Sequence, residues 1–169
     1  MKKWLFLILL FPLICVAQTY RYLGVEDGLS NRRVYCIQKD KTGYMWFLTH
    51  EGIDRYNGKE FKRYKLMDGD AEVNSLLNLN WLYIDQEGVL WEIGKKGKVF
   101  RYDQIHDCFS LVYKLPMESF SEQPDPVTYA WLDQNKHIWL CNKDTIFLYN
   151  TDTKPVSYTH LRAHETTLH

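Results

Sequence analysis

The chain has no excess of charge of either sign: 21 basic residues balance 21 acidic ones over 169 positions. A clustered basic face, the electrostatic footprint of a nucleic-acid binder, is therefore not expected. It has no Cys-x-x-Cys pair and no Cys/His set at metal-ligand spacing, so a structural zinc or a dithiol redox motif is not expected. Phosphate-loop, His-Glu-x-x-His and calcium-loop patterns are missing as well. No amphipathic helical pattern stands out, and beyond the first 17 residues no apolar run is long enough for a membrane helix. Aromatic residues, by contrast, are abundant: they make up 15% of the chain, with six Trp. The 46% apolar content is that of an ordinary globular chain and argues against disorder.

The first residues, MKKWLFLILLFPLICVAQ, place two Lys before an apolar run from Trp4 to Val16 and a small residue, Ala17. This is the layout of a secretory signal peptide over residues 1–17, cleaved after Ala17. A lipoprotein reading through Cys15 is the alternative, though Ile14 stands where a small residue is wanted. Export permits disulfides, but Cys36, Cys108 and Cys141 then form an odd set at unrelated spacings. They read as buried apolar thiols, with a disulfide as the alternative.

One phrase recurs three times. KTGYMWFLTHEGIDRY begins at Lys41, QEGVLWEIGKKGKVFRY at Gln86 and QNKHIWLCNKDTIFLY at Gln134. Aligned on Trp46, Trp91 and Trp139, each unit has an Asp six residues earlier (Asp40, Asp85, Asp133). Gly43, Gly88 and Lys136 stand three residues before the Trp, and Tyr56, Tyr102 and Tyr149 follow ten or eleven after it. A period near 45 residues is that of a propeller, solenoid or array. Within a unit, short β-prone runs alternate with turn clusters such as Asp40–Gly43 and Asn57-Gly58. The expected fold is all-β: a partial β-propeller of about three four-stranded antiparallel blades, over residues 34–66, 79–115 and 128–155, within a propeller segment of 19–155. The Trp is expected to pack between blades and the Asp to brace the turn before it. A repeated sugar-stacking Trp is the functional alternative and would require exposed rings.

The residues also carry a family resemblance. Asp27, Gly28, Leu29, Ser30 and Asn31 read as a DGLSN opener, and Asp40, Gly43, Trp46, Thr49, Gly52, Arg55, Tyr56, Gly58, Phe61 and Tyr64 as a complete repeat. This resembles the two-component-regulator propeller repeats in the periplasmic sensor region of Bacteroidetes hybrid two-component systems. The second unit keeps Asp85, Gly88, Trp91, Arg101 and Tyr102; the third keeps Asp133, Trp139 and Tyr149. The resemblance implies a periplasmic sensor that detects glycan breakdown products, an oligosaccharide ligand, and further blades, an inner-membrane helix and a histidine kinase elsewhere in the full protein. No kinase segment is present, so no catalytic residue and no cofactor are expected here. A fragment of a secreted propeller enzyme or a glycan-binding protein is the alternative, since propellers host both.

After Lys154-Pro155 the character changes. Residues 156–169, VSYTHLRAHETTLH, hold three of the six His. SYTHLRAHET looks like translated sequencing-adapter sequence; a plain tail, or a zinc pair of His160 and His164 on a helix face, are the other readings. Arg32-Arg33 could meet an anionic sugar or simply be solvated, and His50 carries no special weight.

Overall fold

The computed structural model describes residues 20–73, 79–115, 127–142, 145–153 and 156–160. The expected signal peptide, with Cys15, lies outside them, as do His164 and His169. Among the described residues, the regular structure is β apart from a single 3-10 turn at Val25–Asp27. β1 (Val34–Lys39), β2 (Met45–Thr49), β3 (Ile53–Tyr56) and β4 (Phe61–Tyr64) pair in sequence as one antiparallel sheet. Its hairpins close where the sequence places Gly. Gly43 and Gly58 take φ 95 and φ 96, left-handed values that a side chain disfavours. Asn57 braces the second of these turns, its Oδ1 accepting the amides of Lys59 and Glu60, both at 2.9 Å.

The second sheet has six strands rather than four. β7 (Leu79–Ile84), β8 (Leu90–Gly94), β9 (Lys98–Asp103) and β10 (Cys108–Lys114) form the expected blade. Its outer edge is extended by a hairpin from the other side of the seam, β5 (Leu66–Asp68) and β6 (Ala71–Val73), in the order β6-β5-β10-β9-β8-β7. β5 runs parallel to β10, and the Phe109 amide bonds the Lys65 carbonyl at 3.2 Å just before it. The first blade therefore ends at Tyr64, two residues before the expected Leu66, because Leu66 is drawn into the core of the neighbouring blade.

The third sheet contains β11 (Tyr129–Leu132), β12 (His137–Cys141), β13 (Thr145–Asn150) and β14 (Val156–His160), again antiparallel and in sequence. The fourth strand lies past the expected blade end at residue 155. It pairs Val156 with Tyr149 and His160 with Thr145. His160 thus ends a strand, and the helical spacing that a zinc pair with His164 needs is not formed at His160.

Hydrophobic burial joins the blades face to face. Trp46, Leu48, Ile53 and Tyr64 of blade 1 pack against Leu82, Leu90, Phe100 and Phe109 of blade 2. Trp91, Ile93 and Val99 of blade 2 pack in turn against Ala130, Ile138, Leu140, Phe147 and Tyr149 of blade 3. β1 lies beside β7, as first strands do around a propeller axis. Cys36, Cys108 and Cys141 are unpaired, half-buried thiols. No helix among the described residues is long and apolar enough to cross a membrane.

Candidate functional site

The three Asp–Trp pairs adopt one geometry. The indole Nε1 of Trp46 donates to Asp40 Oδ2 at 2.7 Å, that of Trp91 to Asp85 Oδ2 at 2.9 Å and that of Trp139 to Asp133 Oδ2 at 2.8 Å. The other carboxylate oxygen takes the amides two and four residues on. For Asp40 these are Thr42 and Tyr44, for Asp85 Glu87 and Val89, and for Asp133 Asn135 and His137, all at 2.8–3.0 Å. One carboxylate therefore folds the hairpin turn and anchors the indole that fills the seam. The turn passes through Gly43, Gly88 or Lys136, and all three take positive φ; Lys136 does so at 63°.

Burial pushes the pKa of Asp40 up, but the hydrogen bonds from the Thr42 hydroxyl, the Trp46 indole and the two amides outweigh it and hold the carboxyl below its usual range. Asp133 is lowered by the same balance. A glycosidase acid must instead be held protonated, with its value raised. These carboxylates suit a structural clamp, and their oxygens are occupied by the turn. Trp46 and Trp91 are 1% and 3% exposed, which removes them as stacking platforms for a sugar; Trp139 is half-buried.

The repeated Tyr positions diverge in their surroundings. Tyr102 reaches back across the first seam to Trp46, ring centroids 5.1 Å apart, and Tyr149 stacks on Tyr113 at 4.9 Å across the second. Tyr56 lies on the outer face of blade 1, against Phe61 at 4.7 Å, with its hydroxyl donating to the Gly58 carbonyl. Cross-strand register explains the Arg in the first two units: Arg55 opposes Trp46 and Arg101 opposes Trp91. Each guanidinium lies over its indole, at 5.4 and 5.9 Å. Leu148 holds that place opposite Trp139.

A cleft of about 440 Å³ opens along the first seam, lined by Tyr44, Trp46, Arg55, Arg101 and Tyr102 among others. Beside it an ion cluster crosses the seam. Asp107 accepts from Lys62 and from the Tyr102 hydroxyl at 2.6 Å, and Arg55 is 3.9 Å away. Burial would raise Asp107, but Lys62 and Tyr102 bring it down to about 2, below the 3.8 of a free Asp. The unfolded chain therefore takes up the proton first. The contribution is complete above about pH 4 and is lost as pH falls toward 2. Asp107→Asn is expected to flatten the fall of the urea midpoint over that interval, while costing no more than about 1 kcal/mol at pH 7. An unchanged slope would dissociate Asp107 from acid sensitivity.

The opener is docked on blade 1. Leu29 is buried, the Ser30 amide bonds Asp54 Oδ2 at 2.8 Å, and the Ser30 hydroxyl meets Thr49 Oγ1 at 2.7 Å. Asn31 Nδ2 donates to Glu51 Oε1 at 3.1 Å, and Gly28 turns the chain at φ 105. Asp54 is fully buried, and burial pushes it up against the lowering bonds from Ser30. These contacts give the DGLSN residues and Thr49 a physical reason to occur together.

Residues 28–51, the stretch from the opener's turn through β2, match the pattern of the two-component regulator propeller family. The fold also resembles solved structures. The extracellular domain of a hybrid two-component system from B. thetaiotaomicron is 27% identical over 83% of this chain and 20% of its own, with TM-score 0.62. A second such domain from the same organism, 20% identical, covers 86% of this chain and 20% of its own at TM-score 0.65. Virginiamycin B lyase from Staphylococcus aureus is 15% identical, covering 81% and 44%, with TM-score 0.57, a likeness of fold. The chain thus spans about a fifth of the length of the first two structures. No curated protein matches it.

The repeated Asp and Trp were accessible to sequence reading; two other devices were not. The β5–β6 hairpin had a local turn signal in Asp68-Gly69-Asp70, but nothing local marks its partner strand. The seam donors Gln38 and Tyr83 do the same work with different side chains. Gln38 Nε2 donates to the Leu82 carbonyl at 3.1 Å, and Tyr83 Oη donates to that of Ala130 at 2.6 Å. Arg32 and Arg33, flagged for an anionic sugar, line an open depression with Asn31 and His50.

Proposed function

We propose that this chain supplies scaffold blades to the extracytoplasmic sensor of a hybrid two-component regulator. In this reading the leader at 1–17 exports it to the periplasm, and the complete protein is held in the inner membrane. The complete sensor responds to glycan breakdown products and passes the signal to a histidine kinase, by favouring one of two pre-existing arrangements. The observation that carries the reading is the regulator repeat at 28–51, whose opener residues dock directly onto Thr49 and Asp54 of the same blade. The 27% identical extracellular domain supports it over most of the chain. The indoles and carboxylates of the repeat are engaged in holding seams and turns, so ligand contacts are assigned to other parts of the sensor.

Two measurements test this. Reading the genomic frame beyond residue 155 is expected to reveal a membrane-spanning segment followed by kinase sequence; a stop codon directly after the blades would overturn the sensor role. Calorimetry of the purified chain with oligosaccharides is expected to give no heat of binding. Micromolar affinity would overturn the scaffold assignment while leaving the sensor role standing.

A further inference from the structure

Asp54 is a carboxyl sealed inside blade 1 with no cation bonded to it. It lies on β3, is 0% exposed, and its two oxygens are in unequal surroundings. Oδ2 accepts the Ser30 amide of the opener at 2.8 Å, whereas Oδ1 is closed to water and takes no hydrogen bond among the described residues. The charged groups that face it are Arg63 and Glu51. Arg63 is its register partner on β4, but that guanidinium turns to the Glu51 carbonyl and lies 3.8 Å from Glu51 Oε2. Glu51, in the turn between β2 and β3, sets a second negative charge nearby. Thr49 from β2 and Ser30 from the opener bring hydroxyls and no charge. An ionised Asp54 would bear the cost of burial without an ion pair, while a neutral one keeps the Ser30 bond and escapes that cost. Burial accordingly pushes its pKa up, by more than the Ser30 bonds and Arg63 bring it down. The groups that seal the carboxyl belong to the residues described here, so flanking blades cannot give Oδ1 a partner while the opener is docked.

We propose that Asp54 is a protonation-controlled clasp for the opener: the neutral carboxyl holds Ser30 on blade 1, and loss of its proton to solvent releases residues 29–31. Release lets water reach both oxygens of the new carboxylate, and no covalent bond changes besides the O–H. The released carboxyl ionises near 3.8, as a free Asp does, and the docked one at a higher pH. The clasp is therefore whole at and below 3.8 and loosens as pH rises through the docked value. This is the opposite sense to Asp107, whose contribution is lost as pH falls.

Amide hydrogen exchange of the purified chain, read at Ser30 from about pH 4 to about pH 8, tests the proposal. Written as a protection factor, which removes the intrinsic pH dependence of exchange, protection at Ser30 is expected to fall by about tenfold or more, while that at Leu48 in β2 holds steady. Asp54→Asn keeps an acceptor for the Ser30 amide and cannot ionise, so its Ser30 protection should not vary with pH. The Asp54 carboxyl carbon, followed by NMR in the wild type, should titrate above 3.8, a readout that does not depend on the variant folding. Ser30 protection that ignores pH in the wild type would overturn the proposal, as would an equal fall at Leu48 or the same fall in Asp54→Asn. A carboxyl midpoint at or below 3.8 would overturn it as well.

Discussion

Trp46→Ala lowers the unfolding free energy by about 3–5 kcal/mol, the usual cost of deleting a buried Trp, whereas Trp139→Ala costs about 1 kcal/mol. The sequence positions are equivalent, so the difference comes from what faces them. Trp46 is 1% exposed and meets Tyr64, Tyr102 and Phe109 at 4.9, 5.1 and 5.9 Å. Edge and tilted ring pairs of this kind add about 0.5–1.5 kcal/mol each beyond burial, and truncation also removes one of the three rings beneath the Arg55 guanidinium. Trp139 keeps its Asp133 bond but is only half-covered, so its removal leaves no sealed cavity. Since a domain is stable by only about 5–15 kcal/mol, Trp46→Ala places the first seam near its threshold. Denaturant midpoints of both variants and of Trp46→Phe decide the matter; equal losses at positions 46 and 139 would show that the seam is not what the indole holds together.

Asp85→Ala removes about 1–3 kcal/mol by leaving the Trp91 indole N–H without its acceptor inside the seam. The carboxylate also takes the Glu87 and Val89 amides, at 2.9 and 2.8 Å, so the turn into β8 loosens at the same time. Asp85→Asn retains one acceptor oxygen and is expected to recover part of the loss. Asp133→Ala makes a graded control. Its indole partner is half-exposed, and water can take the place of the lost oxygen. Urea unfolding of the three variants gives the order directly. A loss at Asp133 as large as that at Asp85 would count against burial of the indole as the cause.

The repeat was legible because each unit spends the same side chains on the same local task. Asp, Gly and Trp act within six residues of one another, so spacing alone exposes them. Blade number followed, since strands here are short runs between turn residues. The sequence did not disclose which strand joins which sheet across a seam. Leu66 continues the alternation of Tyr64 and Lys65, and only tertiary packing makes it cross to blade 2, where it is 2% exposed. The pairing of Val156–His160 was equally hidden, because an edge strand is recruited by backbone groups more than by side chains. Seam donors were missed for the opposite reason. An amide at Gln38 and a phenol at Tyr83 satisfy the same carbonyl geometry while sharing no residue identity.

The crossing of β5 to the edge of β10 distributes stiffness unevenly. At the first seam the main chain itself passes from one blade to the next, and its parallel ladder must break before the blades can tilt apart. The second seam has the Val127 amide on the Lys95 carbonyl and the Tyr83 phenol on that of Ala130, with no strand exchanged among the described residues. The first two blades are thus tied by main chain as well as by side chains, a tie that the second seam lacks among the described residues.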